Sequence, residues 1–242
     1  MKDYKLELEN RVEYVRTLLR SSGAKGIIYG NSGGKDSVLV SIICKKACDD
    51  TVGVIMPCGS KRNYEEDTRD ALEIAEMYSI ETRQVDLASA KDEMVRLLSG
   101  AADLSRDALS NINPRLRMIT LYAIGQSENR LVAGTGNRSE IHMGYFTKWG
   151  DGGHDFNPIS DLTVKEVYEF LEFLGVPEKI IKKAPSAGLF EGQTDEAEMG
   201  VTYAAIDDYL LNSNVNEQDK KIIDAFHKRS QHKRRLPSVY EG

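Results

Sequence analysis

Four short runs of β-forming residues recur along this 242-residue chain, at 26–29, 51–56, 81–85 and 130–133, separated by segments of helical periodicity such as 37–47 and 65–78. Short strands that alternate with helices are predicted to form a parallel sheet covered by helices on both faces. The expected fold class is therefore α/β, in a single domain over residues 1–242, since no linker-like stretch interrupts the pattern. A helix precedes the first strand: Leu8, Val12, Val15, Leu18 and Leu19 repeat at helical spacing over residues 5–21, and Gly23 ends it.

Ligands of such sheets bind at the carboxyl ends of the strands near the topological switch point, so the loops after strands one, two and four matter most. The first of these reads Gly30-Asn31-Ser32-Gly33-Gly34-Lys35-Asp36-Ser37. Its glycines let the backbone approach an anion closely, and the following helix N-terminus adds partial positive charge. The Walker pattern fails in register, because Lys35 comes too early after Gly30 and Asp36 follows it. Asp36 suits the first helical turn, and beside bound phosphates it suits magnesium. A glycine-rich turn capped by Ser and Asp is the bland alternative, and it stays open on these residues alone.

Composition narrows the surroundings. A content of 40% hydrophobic and 29% charged residues is ordinary for a water-soluble globular protein. The charged first ten residues argue against a signal peptide, and no apolar run reaches membrane-spanning length, so a cytoplasmic location without membrane attachment is expected. Cys44, Cys48 and Cys58 have no histidine close in sequence and read as buried reduced thiols. A net charge of −6 argues against a broad nucleic-acid surface, although Lys228, Arg229, Lys233, Arg234 and Arg235 form a local basic segment that an anion could use.

Further along, Asn113-Pro114 looks like an N-cap and first helical residue, opening a helix toward Gly125. Arg115 and Arg117 in its first turn oppose the helix dipole, so they serve either an anion or the solvent. After the fourth strand come Gly134-Thr135-Gly136-Asn137-Arg138-Ser139-Glu140 and the turn-rich loop from Lys148 to Asp155. Thr163-x-x-Glu166 is a capping box for a helix through Leu174, closed by Gly175. Residues 182–200 read as loop, and helical patterns return at 201–211 and 219–229.

Taken together these stretches resemble the ammonia-dependent NAD+ synthetases, from the first helix to the C-terminal tail. The hexapeptide Ser32–Ser37 is similar to the pyrophosphatase loop, an ATP signature shared by a superfamily whose fold is adenine-nucleotide alpha-hydrolase-like and Rossmann-like. More discriminating are 134–140, Gly144 to Gly152, Lys183 to Leu189, Gly192 to Glu196, and His232-Lys233-Arg234-Arg235. The resemblance implies ATP-driven adenylation of the nicotinate carboxylate of deamido-NAD+, followed by amidation with ammonia to NAD+, AMP and pyrophosphate. It also implies magnesium, a homodimer and no glutaminase domain. AMP leaves an acyl carbon far more readily than oxide does, and aligning two anionic substrates calls for amides, Lys, Arg and a cation.

Residue by residue, the resemblance assigns Gly30, Asn31, Ser32, Gly33, Gly34, Lys35, Asp36, Ser37, Thr135 and Ser186 to ATP. It assigns Asp36 and Glu140 to magnesium, and Arg115, Lys148, Asp155, His232 and Lys233 to deamido-NAD+. Asp36, Glu140 and Lys148 are the expected catalytic residues. Glu140 as a surface acid, Lys148 with Asp155 as a surface ion pair, and His232 with Lys233 as a solvated tail are the plainer alternatives. One departure stands out: where many relatives place an ATP-contacting lysine, this chain has Val164, and the neighbouring Lys165 points about 100° around the helix. A ligase of the same superfamily acting on tRNA, and a regulatory module that holds ATP without turnover, are the competing readings.

Overall fold

The computed structural model describes residues 2–58, 63–181, 195–212 and 214–240. Ser186 and the stretches 183–189 and 192–194 lie outside the described residues. Helix α1 (Tyr4–Ser22) is capped by the Asp3 side chain and ends at Gly23, before β1 (Gly26–Gly30). There follow α2 (Lys35–Ala47), β2 (Thr51–Ile55), a π-helical turn (Asn63–Asp67), α3 (Thr68–Met77) and β3 (Glu81–Gln84). Then come α4 (Ala88–Ser99), α5 (Arg106–Ser110), α6 (Ile112–Glu128), β4 (Arg130–Ala133) and α7 (Arg138–Met143). The remainder is helical: α8 (Val164–Phe173), α9 (Glu178–Ile181), α10 (Asp195–Met199), α11 (Tyr203–Asn212), α12 (Glu217–Arg229) and a 3₁₀ turn (Gln231–Lys233).

The strands pair in parallel in the order β3-β2-β1-β4. Period-two alternation sends Ile27 and Tyr29 of β1 into a core shared with α1, α2, α3 and α8, while Ile28 joins Val52, Val54, Val132 and Leu121 beneath α6. Both faces are thus covered, as the alternating pattern predicts. A third cluster packs Met143 of α7 and Val164 of α8 against Tyr203, Ile206 and Ile223, tying α11 and α12 to the sheet's carboxyl end. β3 is a polar edge strand. At the other edge Gly134 N–H donates to Phe156 O and the Asp155 carboxylate accepts the Val132 N–H at 2.8 Å, so the chain after β4 closes its own ladder.

Some boundaries differ from expectation. Helix α6 begins at Ile112 with Asn111 as its N-cap, two residues earlier than an Asn113 cap would give, and Asn113 is buried within it. Segment 182–200, read as loop, contains α10, whose three acidic residues in five hid the helix from a hydrophobic-period search. Helices α4 and α5 were not anticipated either, because α4 buries none of its residues and α5 spans barely more than a turn. Cys44 and Cys58 are buried and Cys48 is half-buried, all three as free thiols. Among the described residues no helix is long and apolar enough to cross a membrane.

Candidate functional site

The chain climbs to β2 and β3 on one side of β1 and returns to β4 on the other, so the loops leaving β1 and β4 diverge from neighbouring strands and open a crevice between them. A cleft of about 1170 Å³ occupies that point, lined by Gly30–Ser32, Gly34–Ser37, Met56, Gly134–Gly136, Glu140, Gly144–Thr147 and the C-terminal residues His232–Arg234. The loops after strands one, two and four all reach it, as the fold class demands.

Loop 31–37 is shaped to meet an anion. Asn31 anchors it by donating to Ala71 O and accepting the Gly33 N–H. Gly33 sits at φ +69°, and a Cβ there would stand 2.7 Å from Asp67 O, so only glycine lets the loop pass α3 so closely. The Ser32 and Ser37 hydroxyls share a hydrogen bond at 3.1 Å. Gly34 caps α2 without a side-chain acceptor, which leaves the first N–H groups of that helix for a ligand.

Opposite this loop, Asn137 is the N-cap of α7 in a full capping box with Glu140. Its Nδ2 also donates to Asp36 Oδ1 at 3.1 Å, while its backbone N–H donates to Glu140 Oε2 at 3.1 Å. One buried asparagine therefore holds both carboxylates, which come from segments a hundred residues apart. The Lys35 ammonium lies 2.6 Å from Asp36 Oδ2, between the rings of Tyr168 and Tyr203. Burial, then the Asp36 charge, pushes the Glu140 carboxyl well above the usual carboxylate range. Asp195 is buried at the same wall and accepts from Tyr203 Oη at 3.0 Å.

The dinucleotide candidates are more dispersed. Lys233 lines the cleft and donates to Gly144 O and Phe146 O at 2.8 and 2.7 Å. His232 lies between this cleft and a shallow adjoining depression, where Lys148 donates to His232 O at 2.9 Å and faces the Trp149 ring. Asp155 is exposed; besides the Val132 N–H it accepts from Tyr122 Oη, so the supposed Lys148–Asp155 pair is replaced by two unrelated contacts. Arg115 is exposed and donates to Lys148 O, whereas Arg117 lines the cleft and donates to Met56 O at 3.1 Å. Because α6 starts at Ile112, only Arg115 lies in its first turn; Arg117, expected there too, falls in the second turn and is the one that lines the cleft. Val164 is buried in the third cluster and Lys165 is exposed, and neither lines the cleft.

Asn137, Arg106, His154 and Asp195 also line or brace the cleft without having been singled out. Asn137 could have been found from its Asn-x-x-Glu spacing, which is a capping signature. The C-terminal wall is held by Arg234, which donates to Ile141 O, His142 O and Ser230 Oγ, and by His142 stacked on His227 at 4.1 Å. Burial, then His227 and the nearby Arg234 and Arg138, holds the His142 imidazole down at about 4. The folded chain thus keeps His142 neutral where the unfolded chain, with an ordinary value of about 6.5, takes a proton. That stability is intact above pH ~6.5 and is lost as pH falls toward 4. Between pH 7 and 5 the Tm of the wild type should fall about 2–4 °C further than that of His142→Phe, measured by calorimetry in matched buffers; parallel curves would remove His142 as the cause.

A family model described as NAD synthase matches residues 7–237. The chain is 47% identical over 234 residues to the NH(3)-dependent NAD(+) synthetase of Carboxydothermus hydrogenoformans, covering 96% of this chain and 95% of the relative. Among solved structures, the NMN synthetase of Francisella tularensis superposes with a TM-score of 0.94 at 37% identity, over 100% of both chains. The NH3-dependent NAD synthetase of Campylobacter jejuni superposes at 0.82 with 26% identity, again over 100% of both.

Proposed function

This chain belongs to the NAD synthase family, and we propose that it is a ligase that adenylates the nicotinate carboxylate of deamido-NAD+ with ATP and amidates it with free ammonia, as the names of its relatives suggest. The observation that carries the reading is the convergence of loop 31–37 and the Asn137–Glu140 capping box on one cleft. Its volume exceeds the roughly 300–1,000 Å³ of a single small-molecule site, which suits two substrates side by side.

In this mechanism the amides of loop 31–37 and the N-terminus of α2 take the ATP phosphates, with Ser32, Ser37 and Thr135 adding hydroxyls. Lys233 and Arg117 set positive charge on the opposite side, where an anionic dinucleotide would lie. The carboxylate oxygen attacks the α-phosphorus, pyrophosphate departs, and ammonia then displaces AMP from the acyl carbon. Asp36 and Glu140 fit a magnesium ion: both are oxygen donors held in place by Asn137, and a cation, the Lys35 ammonium, already rests against one of them. When bound, magnesium supplies charge neutralisation at the phosphate oxygens.

The decisive assay follows pyrophosphate release with deamido-NAD+ and ammonium supplied together or singly. Release must require the dinucleotide, and NAD+ must form only with ammonium; pyrophosphate appearing equally without the acid, or never, overturns the reading. Lys233→Ala is expected to raise the KM for the dinucleotide about 10-fold or more with a smaller change for ATP. An effect confined to ATP would move Lys233 to the other substrate.

A second reading shortens the acid. The Francisella structure with the 0.94 TM-score is described as an NMN synthetase, and the same amidation on nicotinate mononucleotide would leave the space beyond the nicotinate ribose phosphate to solvent. Comparing kcat/KM for the mononucleotide and the dinucleotide separates the two. A cytoplasmic homodimer completes the proposal: Met94 and Leu97 of α4 and Ile119 of α6 are exposed on two helices that pack together, apolar surface that a second copy could cover. Light scattering should give twice the 27.0 kDa chain mass.

A further inference from the structure

The reaction proposed above leaves one buried charge unexplained. Lys35 occupies the position between the second glycine and the acid of loop 32–37, and its side chain, only 6% exposed, lies in the cleft wall against the Asp36 carboxylate. Its ammonium is 2.6 Å from Asp36 Oδ2 and within 6 Å of the Tyr168 and Tyr203 ring centres, at 5.9 and 5.8 Å. Tyr203 is in turn fixed by its hydrogen bond to Asp195. Asp36 Oδ1 is already engaged by Asn137, so the ammonium takes the oxygen that faces away from that bond.

We propose that Lys35 is a tethered counter-cation for the Asp36–Glu140 pair, which keeps a divalent ion weakly bound until ATP arrives with its own negative charge. The argument rests on the reading of Asp36 and Glu140 as the metal ligands. Without Lys35, Asp36 and Glu140, brought together by one asparagine, lose the cation beside them in a poorly solvated wall, and a divalent ion would supply the missing positive charge directly. With Lys35 present, one carboxylate charge is already balanced, and an incoming ion meets a fixed like charge a few ångströms away. The triphosphate reverses this balance, because its oxygens supply anionic ligands for the ion and a partner for the ammonium. Metal and nucleotide would then bind with positive coupling, and metal would not load an empty site. Lys35 is in this account a positioning and charge-setting residue for the site.

The test uses Mn²⁺ as the probe, with binding to the nucleotide-free full chain measured by electron paramagnetic resonance. Lys35→Gln keeps a donor toward Asp36 and removes the charge; Lys35→Met removes both; Lys35→Arg keeps the charge. The neutral variants are expected to bind Mn²⁺ at least ~10-fold more tightly than wild type. They should also melt lower in EDTA and recover on adding Mn²⁺, whereas Lys35→Arg and wild type gain little. Should Lys35→Met fail to fold, Lys35→Gln decides alone, since it differs from lysine by charge and length while remaining polar. Equal Mn²⁺ affinity in wild type and neutral variants overturns the counter-cation role while leaving the metal reading intact. If Asp36→Asn binds Mn²⁺ as well as its parent does in the Lys35→Gln background, the metal reading itself fails, and this inference with it.

Discussion

Asp36→Asn is expected to lower kcat by about 100- to 1,000-fold, a loss of the size seen when one preorganised electrostatic group is removed. Asn is nearly isosteric and can still meet Asn137, so the cleft should keep its shape. The variant gives up the charge nearest the Lys35 ammonium, and Glu140 remains as an acid that acts electrostatically on it. Removing one member of a buried pair destabilises, so a drop in Tm without ligands is expected as well. The two effects are separable by the thermal shift on adding Mg-ATP, which wild type should show and the variant should largely lose. A variant that keeps the full Mg-ATP shift and most of its turnover would reduce Asp36 to a helix-capping acid.

Gly144→Ala should be the most damaging single methyl addition near the site. Gly144 ends α7 at φ +67°, where an L side chain is strained, and its added Cβ would stand 2.1 Å from Ser230 Cβ and 2.2 Å from Ser230 Oγ. Ser230 cannot step aside cheaply: it closes α12, its Oγ donates to Phe226 O, and Arg234 donates to it. Strain plus overpacking of this kind costs about 3 kcal/mol, a Tm loss of roughly 6–12 °C in a chain of this size. Adding Ser230→Gly removes the obstructing atoms and should return part of the loss. No recovery in the double variant would show that the positive φ alone sets the cost.

Much of this architecture was legible beforehand because it depends on local rules. The β4 run matched its strand, the Thr163–Glu166 capping box formed as read, and Gly23 and Gly175 closed their helices, since each depends on residues within a few positions of one another. Helix α10 escaped because it is mostly acidic, and α4 because its apolar residues Met94, Val95, Leu97 and Leu98 crowd into its last turns and none of them is buried. Among the site residues, the glycine-rich loop was visible from its composition. Which of Arg115 and Arg117 faces the cleft was not, because that turns on where α6 starts and on its rotation against β1 and β4.

The residue pattern alone was enough for a doubly covered parallel sheet, a glycine-rich loop after β1 and, by resemblance, the family. Strand order, and hence the crevice between β1 and β4, depended on contacts between segments far apart in the chain, which periodicity does not encode. The same holds for the partners of each charge. Asp155 turned to the edge of β4, Lys148 to the carbonyl of His232, and Lys35 to the acid beside it. A charged side chain takes its counter-charge or hydrogen bond wherever the packed chain supplies one, under compulsion when it is buried as Lys35 is, and only the folded geometry says where that is.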